Sequence, residues 1–331
     1  MTTLADLQTP ALIVDEDLFA GNLAAMSEAI PGRKLRPHVK AHKCTSIAQR
    51  QYELGHTGFT CATIREVEGM AAAGLGEDLL LANEVLDMRR LGALVEAGTR
   101  VTAAVDSEQT IAAAVAGGVR EVVIDVNIGL PRCGCDVADA GRLADRARSA
   151  GLEVRGVMGY EGHLMMVQPP ELKLQRTEEA LSILLRAHEA AGGELVTSGG
   201  TGTYQSNTWA NEIQAGSYVL MDTDYGKLGF PFVQAFWILG TVISVSPKWA
   251  VLDVGLKAQG MDHGNPTVTN GDVMFVADEH LVFVPHDSVA VGDRLRVTPA
   301  HIDPTIARHE TMHTFRGSEV LEQWPVDLRG W

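Results

Sequence analysis

The sequence predicts an α/β protein, with an N-terminal TIM (β/α)8 barrel followed by a C-terminal all-β domain. Between residue 35 and about residue 220, short apolar segments alternate with alanine-rich segments in eight units, which fits a barrel. After residue 230 the chain consists of short β-type runs separated by Gly, Asn, Pro and Asp turns. We therefore expect the barrel over residues 10–230 and the β domain over 231–331, with residues 1–9 available to pair with the β domain. An open doubly wound sheet would produce a similar alternation in the first part.

The composition predicts a soluble cytoplasmic protein that binds neither nucleic acid nor membrane. Hydrophobic residues make up 46% of the chain and charged residues 21%, and the formal net charge of −15 disfavours an anionic partner surface. The N-terminal stretch carries acidic residues and lacks the apolar core of a signal peptide, and no run approaches the roughly 18 apolar residues of a membrane span. The four cysteines form no CxxC pair, so we expect reduced thiols.

The predicted strands and helices follow one another in the order that a barrel requires. Several strands are almost continuously apolar, as in a parallel sheet that is buried on both faces. Glycines stand where the helices should end. The predicted strands are 35–40, 57–63, 77–83, 100–106, 120–129, 152–160, 194–200 and 211–220. The predicted helices lie near 43–54, 64–73, 86–97, 107–116, 136–150 and 171–191.

Polar residues at the carboxyl ends of these strands favour the barrel over an open sheet. Barrel enzymes build their active sites at that face, and an inert barrel has less reason to carry polar groups at so many strand ends. The residues concerned are Lys40, Thr63, Asn83, Glu84, Asp106, Asn127, Tyr160, Glu161, His163 and Ser198.

Lys40 is the candidate reactive lysine of the first predicted strand, 35–40. Side chains alternate along a strand, so Arg36, His38 and Lys40 share the face that points into the barrel. Lys40 comes last, at the carboxyl end, whereas Lys43 lies beyond the strand and is expected at the surface. A neighbouring Arg36 or protonated His38 would lower the pKa of Lys40 and favour the neutral amine that a Schiff base requires. A structural lysine in a salt bridge is the alternative.

The glycine-rich segment 198–204, "SGGTGTY", predicts a phosphate site after the seventh strand. Backbone N–H groups of such a loop can approach an anion closely, and Ser198, Thr201 and Thr203 add hydroxyls. TIM barrels usually bind phosphate with the loops after strands seven and eight, where "QAGSY" (214–218) offers a second backbone approach. A flexible turn is the alternative. A barrel lysine together with a phosphate site indicates pyridoxal 5′-phosphate (PLP) as the cofactor.

The order and spacing of several motifs resemble the D-threonine aldolase and D-serine dehydratase family, a branch of the alanine-racemase-like, fold type III PLP enzymes. The resemblance implies a PLP-binding barrel, a C-terminal β domain and a homodimer whose active sites lie near the subunit interface. The motifs are "TPALIVD", "RPHVKAHK", "TCATIREVEGMAAAG", "LLLANEV", "PRCG", "GGTGT" and "PAHIDPT".

The resemblance also implies roles for individual residues. The Schiff-base lysine of the family matches Lys40, and the residues around the cofactor ring match Arg132 in "GLPRCG" and Tyr160 in "GYEGH". An ion pair for Arg132 and rim packing for Tyr160 are the alternatives. The predicted cofactor-binding set is Lys40, His38, Arg132, Tyr160, Ser198, Gly200, Thr201, Gly202, Gly216 and Ser217.

His301 and Asp303 in "PAHIDPT" are the candidate metal ligands. They stand two residues apart at the end of a β run, so both could point the same way, although an HxD pair alone is often structural. The family holds a divalent cation with this His and a neighbouring Cys or Asp. Because Asp303 offers a hard oxygen, Mn²⁺ or Mg²⁺ is favoured over Zn²⁺.

These features predict a PLP- and divalent-metal-dependent aldolase that cleaves D-3-hydroxy amino acids of the D-threonine type to glycine and an aldehyde through a Lys40 Schiff base. The alternative is a dehydratase of D-serine or other D-3-hydroxy amino acids that yields a 2-oxo acid and ammonia. A racemase would need a second base, but every tyrosine precedes residue 230. A PLP-binding protein without turnover would leave His301 and Asp303 without a role.

His163 is the candidate acid–base residue, and here the sequence departs from the aldolase pattern. The aldolases compared carry another histidine several residues beyond the tyrosine of strand six, where this chain has Met165 and Met166. His163 is the nearest substitute, and a packing or hydrogen-bonding histidine is the alternative.

Overall fold

The computed structural model describes residues 2–331, which form two compact units. The barrel unit comprises residues 29–40, 47–216 and 328–331, and the β unit comprises the described residues up to 28 together with 41–46 and 217–327. These boundaries differ from the expected 10–230 and 231–331, because the N-terminal strand, residues 41–46 and residues 217–230 belong to the β unit. Among the described residues, no helix is both long enough and apolar enough to cross a lipid bilayer.

A strand and a helix precede the barrel. They are β1 (Ala11–Asp15) and α1 (Glu16–Ala29). Strand β1 is an almost continuous apolar run that is buried along its length up to Asp15. Helix α1 begins with two acidic residues, which stabilise a helix N-terminus because their negative charge is attracted to its partial positive charge.

The barrel unit is built on a seven-stranded parallel sheet with the strands in chain order, β2 to β8. From β2 to β7 these strands alternate with helices, as the sequence predicts, whereas β7 and the two-residue β8 are joined by turns. The strands are β2 (Gly58–Cys61), β3 (Asp78–Leu81), β4 (Val101–Val105), β5 (Glu121–Asp125), β6 (Glu153–Met158), β7 (Leu195–Ser198) and β8 (Glu212–Ile213). The helices are α2 (Thr45–Glu53), α3 (Ile64–Ala72), α4 (Arg89–Glu96), α5 (Glu108–Gly117), α6 (Ala140–Ser149) and α7 (Pro170–Ala191).

The segment 35–38 joins the two edges of this sheet and completes the barrel. Leu35 bridges Ile213 in β8, and His38 bridges Thr60 in β2. The N–H of Arg36 donates to the Ile213 carbonyl at 2.9 Å, and the N–H of Thr60 donates to the Pro37 carbonyl at 2.9 Å. The barrel prediction is therefore confirmed, but the predicted strand 35–40 is reduced to two isolated bridges followed by a 3₁₀ turn over Val39–Ala41. Pro37 contributes to this irregularity because it has no N–H to donate.

The interior of the barrel is layered. At the amino ends of the strands lies a charged floor, in which Arg36 donates from Nε to Glu212 at 2.7 Å and from Nη2 to Asp78 at 2.9 Å. Arg155 also binds Asp78, with an Nη1–Oδ1 distance of 2.8 Å. Above the floor lies a buried apolar layer formed by Leu80, Ala104, Val123, Met158 and Leu195. Because side chains alternate along each strand, the next inward positions fall at the carboxyl ends, which form the mouth of the barrel.

The outward faces of the strands pack against the helices in one continuous apolar core. Local signals fix where the helices begin and end. The Thr63 hydroxyl accepts a hydrogen bond from the Glu66 N–H at the start of α3, so Thr63 is a helix cap and not a mouth residue. At the end of α5, Gly118 adopts the left-handed conformation with φ of 82°, which favours glycine.

The β unit contains a nine-stranded sheet in which β1 lies between two C-terminal strands. Strand β1 runs antiparallel to β9 and parallel to β15. The strand order is β10-β13-β12-β11-β14-β9-β1-β15-β16. The additional strands are β9 (Phe236–Val245), β10 (Ala250–Leu252), β11 (Thr267–Val268), β12 (Gly271–Val276), β13 (Leu281–Pro285), β14 (Arg294–Thr298), β15 (Thr311–Arg316) and β16 (Glu319–Pro325), and a short helix, α8 (Ile302–Ile306), precedes β15.

The charged floor generates the first prediction. Replacing Arg36 with methionine leaves Asp78 and Glu212 buried with one cationic partner fewer, so we expect a loss of about 3–5 kcal/mol in the free energy of unfolding. Urea denaturation followed by circular dichroism measures this loss. Arg89→Met is the matched control, since Arg89 pairs with Asp87 on the surface and its removal should leave the free energy of unfolding almost unchanged. Equal losses in the two variants would contradict the proposed importance of the floor.

The floor also sets a pH dependence. Burial alone would raise the pKa of Asp78, but hydrogen bonds from Arg155 and Arg36 outweigh it and hold that pKa well below its usual range. The contribution of Asp78 to stability is therefore fully present above its unfolded-state pKa of about 3.9 and is lost as the pH falls below that value. The acid branch of the stability profile should be less steep in Arg36→Met than in the wild type.

Candidate active site

Lys40 lies immediately after the segment that completes the barrel. It occupies the 3₁₀ turn Val39–Ala41, is half-buried, and donates its backbone N–H to Nδ1 of His38 at 3.4 Å. The turn begins one residue after His38, the last bridged residue, so the position of Lys40 is set by the carboxyl end of this segment. Lys43, expected at the surface, is half-buried with φ of 49°.

Arg36 does not have the role that the sequence suggested for it. It is fully buried, and its guanidinium is held by Glu212 and Asp78 on the floor of the barrel. These two carboxylates compensate its charge, and both stand at the amino ends of their strands. We therefore correct the expectation that Arg36 lowers the pKa of Lys40, since Arg36 acts as a structural cation of the floor.

The fully buried carboxylate of Glu161 holds the glycine-rich loop after β7 through hydrogen bonds. One carboxylate oxygen accepts from the Ser198 hydroxyl at 2.8 Å and the Gly199 N–H at 3.2 Å. The other accepts from the Thr203 hydroxyl at 2.8 Å and from the Asn207 side-chain amide at 3.0 Å. Glu161 thus connects residues from Ser198 to Asn207.

Lys173 of α7 holds the same loop from another side. Its side chain is 5% exposed overall, and Nζ donates to the Met165 carbonyl at 2.9 Å and to the Gly202 carbonyl at 2.8 Å. Burial lowers the pKa of Lys173. The sequence indicated neither Glu161 nor Lys173 as a determinant of the loop, although Glu161 was among the polar residues at the strand ends.

The geometry of the loop fits a phosphate group bound mainly by backbone atoms. A side chain at Gly202 would place its Cβ 2.4 Å from the Met165 carbonyl oxygen, so this position requires glycine. One at Gly200 would meet the sulfur of the flexible Met165 side chain at 3.0 Å, which is a tight contact. Within residues 2–331 no acceptor faces the N–H of Gly202, which leaves this donor available for an anion. The hydroxyls of Ser198 and Thr203 both donate to Glu161, so neither has its proton available for a phosphate group. Thr201, the third hydroxyl that the sequence suggested, is buried.

The second predicted approach to the phosphate runs beside the segment that completes the barrel. The carbonyl of Ala215 accepts the N–H of His38 at 3.1 Å, and the side-chain amide of Gln214 donates to the Thr197 hydroxyl at 2.9 Å. Gly216 is buried at the end of the barrel unit's longest segment. Ser217 follows in the β unit, where it begins a 3₁₀ turn.

Arg132 and Tyr160 are neighbours, with the guanidinium carbon of Arg132 5.2 Å from the ring centroid of Tyr160. Next to Arg132 lies Asp125, the last residue of β5, which is 5% exposed. Burial and the neighbouring Glu84 carboxyl raise the pKa of Asp125 well above its usual range, and Arg132 opposes this rise. A hydrogen bond with Glu84 raises the pKa of Cys133 to about 11, so this residue remains a thiol.

The sequence missed Asp125 because the predicted strand ran to residue 129 and placed Asn127 at its end. The alternation within "EVVID" was the signal that could have found it. Glu121 and Asp125 are polar, Val123 between them belongs to the apolar interior layer, and all three are inward positions of β5.

His163 lies in a groove that faces α7. It is exposed, and its ring borders Gly129. The groove is lined by Ile128, Leu164, Arg176, Glu179, Ala180 and Ile183. The role of His163 as the catalytic base stays a prediction.

In the β unit, the two predicted metal ligands stand at the start of α8. His301 is the N-cap residue and Asp303 lies in the first turn, so the pair belongs to a helix and not to the β run that the sequence suggested. Nε2 of His301 and Oδ2 of Asp303 are 3.6 Å apart. The N–H of Ile302, between them, donates to Oδ2 of the buried Asp222 at 3.0 Å, which anchors the beginning of the helix.

Two further residues, which the sequence reading did not indicate, complete this cluster. Nδ1 of His301 lies 2.6 Å from Oδ2 of Asp262, and the ring of His263 stacks on that of His301 at 3.9 Å with an interplanar angle of 5°. Asp262, His263 and His301 each bring one ligand-type atom within 4.8 Å of the others. The adjacent Asp and His within the turn "GMDHGNP" were the available signal.

Comparison with known proteins gives the family. Residues 14–224 match the family model for the alanine racemase N-terminal domain, and residues 235–315 match the model for a serine dehydratase domain. The chain is 34% identical to a 3-hydroxy-D-aspartate aldolase of Paracoccus denitrificans (strain Pd 1222), over 98% of this chain and 93% of that protein. The chain belongs to the D-threonine aldolase and D-serine dehydratase family, a branch of the alanine-racemase-like proteins.

Further members of this family agree with the assignment. The crystal structure of a D-threonine aldolase from Filomicrobium marinum superposes with a TM-score of 0.92 at 33% identity, covering 98% of this chain and 97% of that one. A D-threo-3-hydroxyaspartate dehydratase of Delftia sp. (strain HT23) is 27% identical over 99% of both chains. The predicted fold and family are therefore confirmed, and the family contains both aldolases and a dehydratase.

The anchoring of the glycine-rich loop generates the second prediction. In Glu161→Gln, the side-chain amide can accept hydrogen bonds at one atom where the carboxylate accepts at two. We expect a loss of about 1–3 kcal/mol in stability. We also expect faster amide hydrogen exchange within residues 199–207, measured by mass spectrometry. Glu178→Gln, on the exposed face of α7, is the control and should change neither. Unaltered exchange in Glu161→Gln would show that the loop holds its shape without this carboxylate.

Proposed function

We propose that this protein is a PLP- and divalent-metal-dependent lyase that cleaves D-3-hydroxy amino acids to glycine and an aldehyde. The observation that carries the proposal is the placement of Lys40 in the turn after residues 35–38, in a barrel whose glycine-rich loop after β7 suits a phosphate group. Membership of a family with aldolases among its members supports the reaction type.

The residues of the barrel unit have separate tasks toward the cofactor. When bound, PLP supplies an electron sink that stabilises negative charge developing at the substrate Cα. Lys40 would hold it as a Schiff base, and Gly200, Thr201 and Gly202 would hold its phosphate, with Gly216 and Ser217 as the second backbone approach. Arg132 and Tyr160 would contact the ring, and His38 would contact it or orient Lys40.

His301 and Asp303 of the β unit would hold the divalent cation. A bound cation polarises a hydroxyl group and lowers its pKa, which suits the β-hydroxyl of the substrate. Asp303 and its neighbours offer carboxylate oxygens and no thiolate, so Mn²⁺ or Mg²⁺ fits this ligand set better than Zn²⁺.

The dehydratase is the alternative function, and the two reactions differ in which proton is removed. Cleavage of Cα–Cβ follows loss of the hydroxyl proton, whereas dehydration follows loss of the Cα proton and expels the hydroxyl. Two observations favour cleavage. The aldolases are closer in sequence, at 34% and 33% identity against 27% for the dehydratase. The second ligand of the metal pair is the oxygen of Asp303, which in this family resembles the aldolase pattern.

A homodimer is part of the proposal, since the family resemblance implies one. Light scattering coupled to size-exclusion chromatography gives the molar mass in solution. A mass of twice 35.5 kDa is expected, and a monomeric enzyme with full activity would contradict it.

The third prediction tests the cofactor lysine. In Lys40→Ala, the visible absorbance band of lysine-bound PLP should disappear, and glycine release from D-threonine or 3-hydroxy-D-aspartate in Mn²⁺ should fall about 10³-fold or more. Lys43→Ala removes a lysine three residues away and should retain both the band and the activity. Glycine and aldehyde are quantified by chromatography.

The outcomes of this experiment separate the competing functions. Formation of a 2-oxo acid and ammonia in place of glycine would assign the protein to the dehydratases. Failure of the wild-type protein to acquire the band when PLP is added would refute the cofactor assignment. Loss of the band in Lys43→Ala and not in Lys40→Ala would move the Schiff base to the other lysine.

The fourth prediction concerns the metal preference. Replacing Asp303 with cysteine exchanges a hard oxygen ligand for a soft thiolate, so the affinity for Zn²⁺ relative to Mn²⁺ should rise by about tenfold or more. Competition between the two ions, followed by the Mn²⁺ electron paramagnetic resonance signal, measures the ratio. Asp287→Cys, on an exposed loop of the β unit, is the control. An unchanged ratio in Asp303→Cys would exclude residue 303 as a ligand.

A further inference from the structure

The cluster around His301 contains a carboxylate whose position suits holding the imidazole more than binding the ion. We propose that Asp262 is a positioning residue that holds the Nδ1 proton of His301, and thereby turns Nε2 toward Asp303 as the cation-binding nitrogen. The inference rests on the proposed metal-dependent function and deepens it, since it adds a residue outside the His301–Asp303 pair.

The distances distinguish the two roles that Asp262 could have. Two atoms that bind one small cation at about 2.1 Å in octahedral geometry lie about 3 Å apart. Nδ1 of His301 and Oδ2 of Asp262 are 2.6 Å apart, which is shorter than this and is a hydrogen-bond distance. On the other side of the ring, Nε2 of His301 and Oδ2 of Asp303 are 3.6 Å apart, so a small movement would bring both to one ion.

In the neutral ring, these contacts determine which nitrogen carries the proton. A neutral imidazole carries one N–H and one lone pair, and the carboxylate of Asp262 can accept only from an N–H. Nδ1 is therefore the donor and Nε2 carries the lone pair, which is the form that a cation needs. Histidine ligands of metals commonly donate their second nitrogen to a carboxylate in this way, and the interaction also fixes the plane of the ring.

A second imidazole–carboxylate pair lies parallel to the first and restricts the His301 ring. The ring of His263 covers that of His301 at 3.9 Å, and Nδ1 of His263 is 3.2 Å from Oδ2 of Asp224. Asp224 is itself bound by Lys227 at 2.6 Å. His263 thus restricts the His301 ring by stacking on it, and Asp224 keeps the His263 ring in place. Asp222 holds the adjacent backbone through the N–H of Ile302.

The proposal is tested by measuring Mn²⁺ binding to the full-length, PLP-loaded protein by isothermal titration calorimetry and electron paramagnetic resonance, without substrate. Asp262→Asn keeps the shape of the side chain and removes its charge, and should weaken Mn²⁺ binding about 10- to 100-fold. His301→Ala should abolish binding. Asp272→Asn is the matched control, because it breaks a surface carboxylate–histidine contact of 2.9 Å with His286, and should leave binding unchanged.

Two additional measurements separate positioning from a general structural effect. Thermal unfolding of the metal-free protein should be the same for Asp262→Asn and the wild type, so that the loss is specific to the ion. His263→Phe preserves an aromatic plate and should retain Mn²⁺ affinity within about threefold, whereas His263→Ala should lose more. Retention in the phenylalanine variant is an outcome that direct ligation by His263 would not permit.

Several results would overturn the inference. Binding by Asp262→Asn equal to that of the wild type would show that the carboxylate has no role. Loss as complete as in His301→Ala would make Asp262 a direct ligand. A wild-type protein that binds no Mn²⁺ or Mg²⁺ would refute the metal dependence and this inference together, whereas wild-type binding with an unaffected Asp262→Asn would refute the inference alone.

Discussion

The pairing of Arg36 with Asp78 and Glu212 is the interaction on which the candidate chemistry of the barrel depends. Residues 35–38 connect β8 to β2 through a few backbone hydrogen bonds, so backbone pairing alone fixes this segment weakly. Arg36 adds side-chain bonds to the first residues of β3 and β8 from within the segment. Lys40 follows four residues later, and its position at the mouth therefore depends on a charged contact at the opposite end of the barrel. A buried cation is stable there because two carboxylates and the Asp78 carbonyl satisfy it.

In the glycine-rich loop, the groups that shape the candidate anion site differ from those that would bind an anion. A buried carboxylate beneath a phosphate loop would repel the ligand if its charge were exposed to it. Glu161 instead accepts four hydrogen bonds from residues 198–207, which draw its charge toward their donors. Lys173 supplies a cation that donates to the carbonyls of Met165 and Gly202. The hydroxyls of Ser198 and Thr203 are used in this framework. Backbone N–H groups would then remain for a ligand, and such a loop needs glycines more than it needs further hydroxyls.

The sequence could predict those features that depend on local periodicity. The order of strands and helices followed from alternating apolar segments, and the carboxyl ends of the strands indicated where the polar groups gather. The prediction was wrong where a tertiary contact overrides the local pattern. Residues 35–40 read as a strand, but Pro37 and the turn at Lys40 interrupt it. Asp125 and Asn127 could not be distinguished without the true end of β5. The contacts of Asp262 with His301, 39 residues later, and of Asp224 with His263 depend on the folded β unit and have no periodic signal. The roles of the individual site residues stay predictions.

A common physical rule connects the two units, each considered by itself. In the barrel unit, carboxylates hold a cation of the floor and two hydroxyls of the glycine-rich loop: Asp78 and Glu212 hold Arg36, and Glu161 holds Ser198 and Thr203. In the β unit, Asp262 holds His301 and Asp224 holds His263. A carboxylate accepts several hydrogen bonds at well-defined positions, so it can fix a neighbouring group in one orientation without contacting the ligand. Removing such a carboxylate should therefore reduce the affinity for the ligand before it alters the chemistry of the residue that touches it. From the sequence alone, the acidic composition of the chain served only to exclude anionic partners. In the structure, part of this negative charge maintains the geometry of the candidate sites.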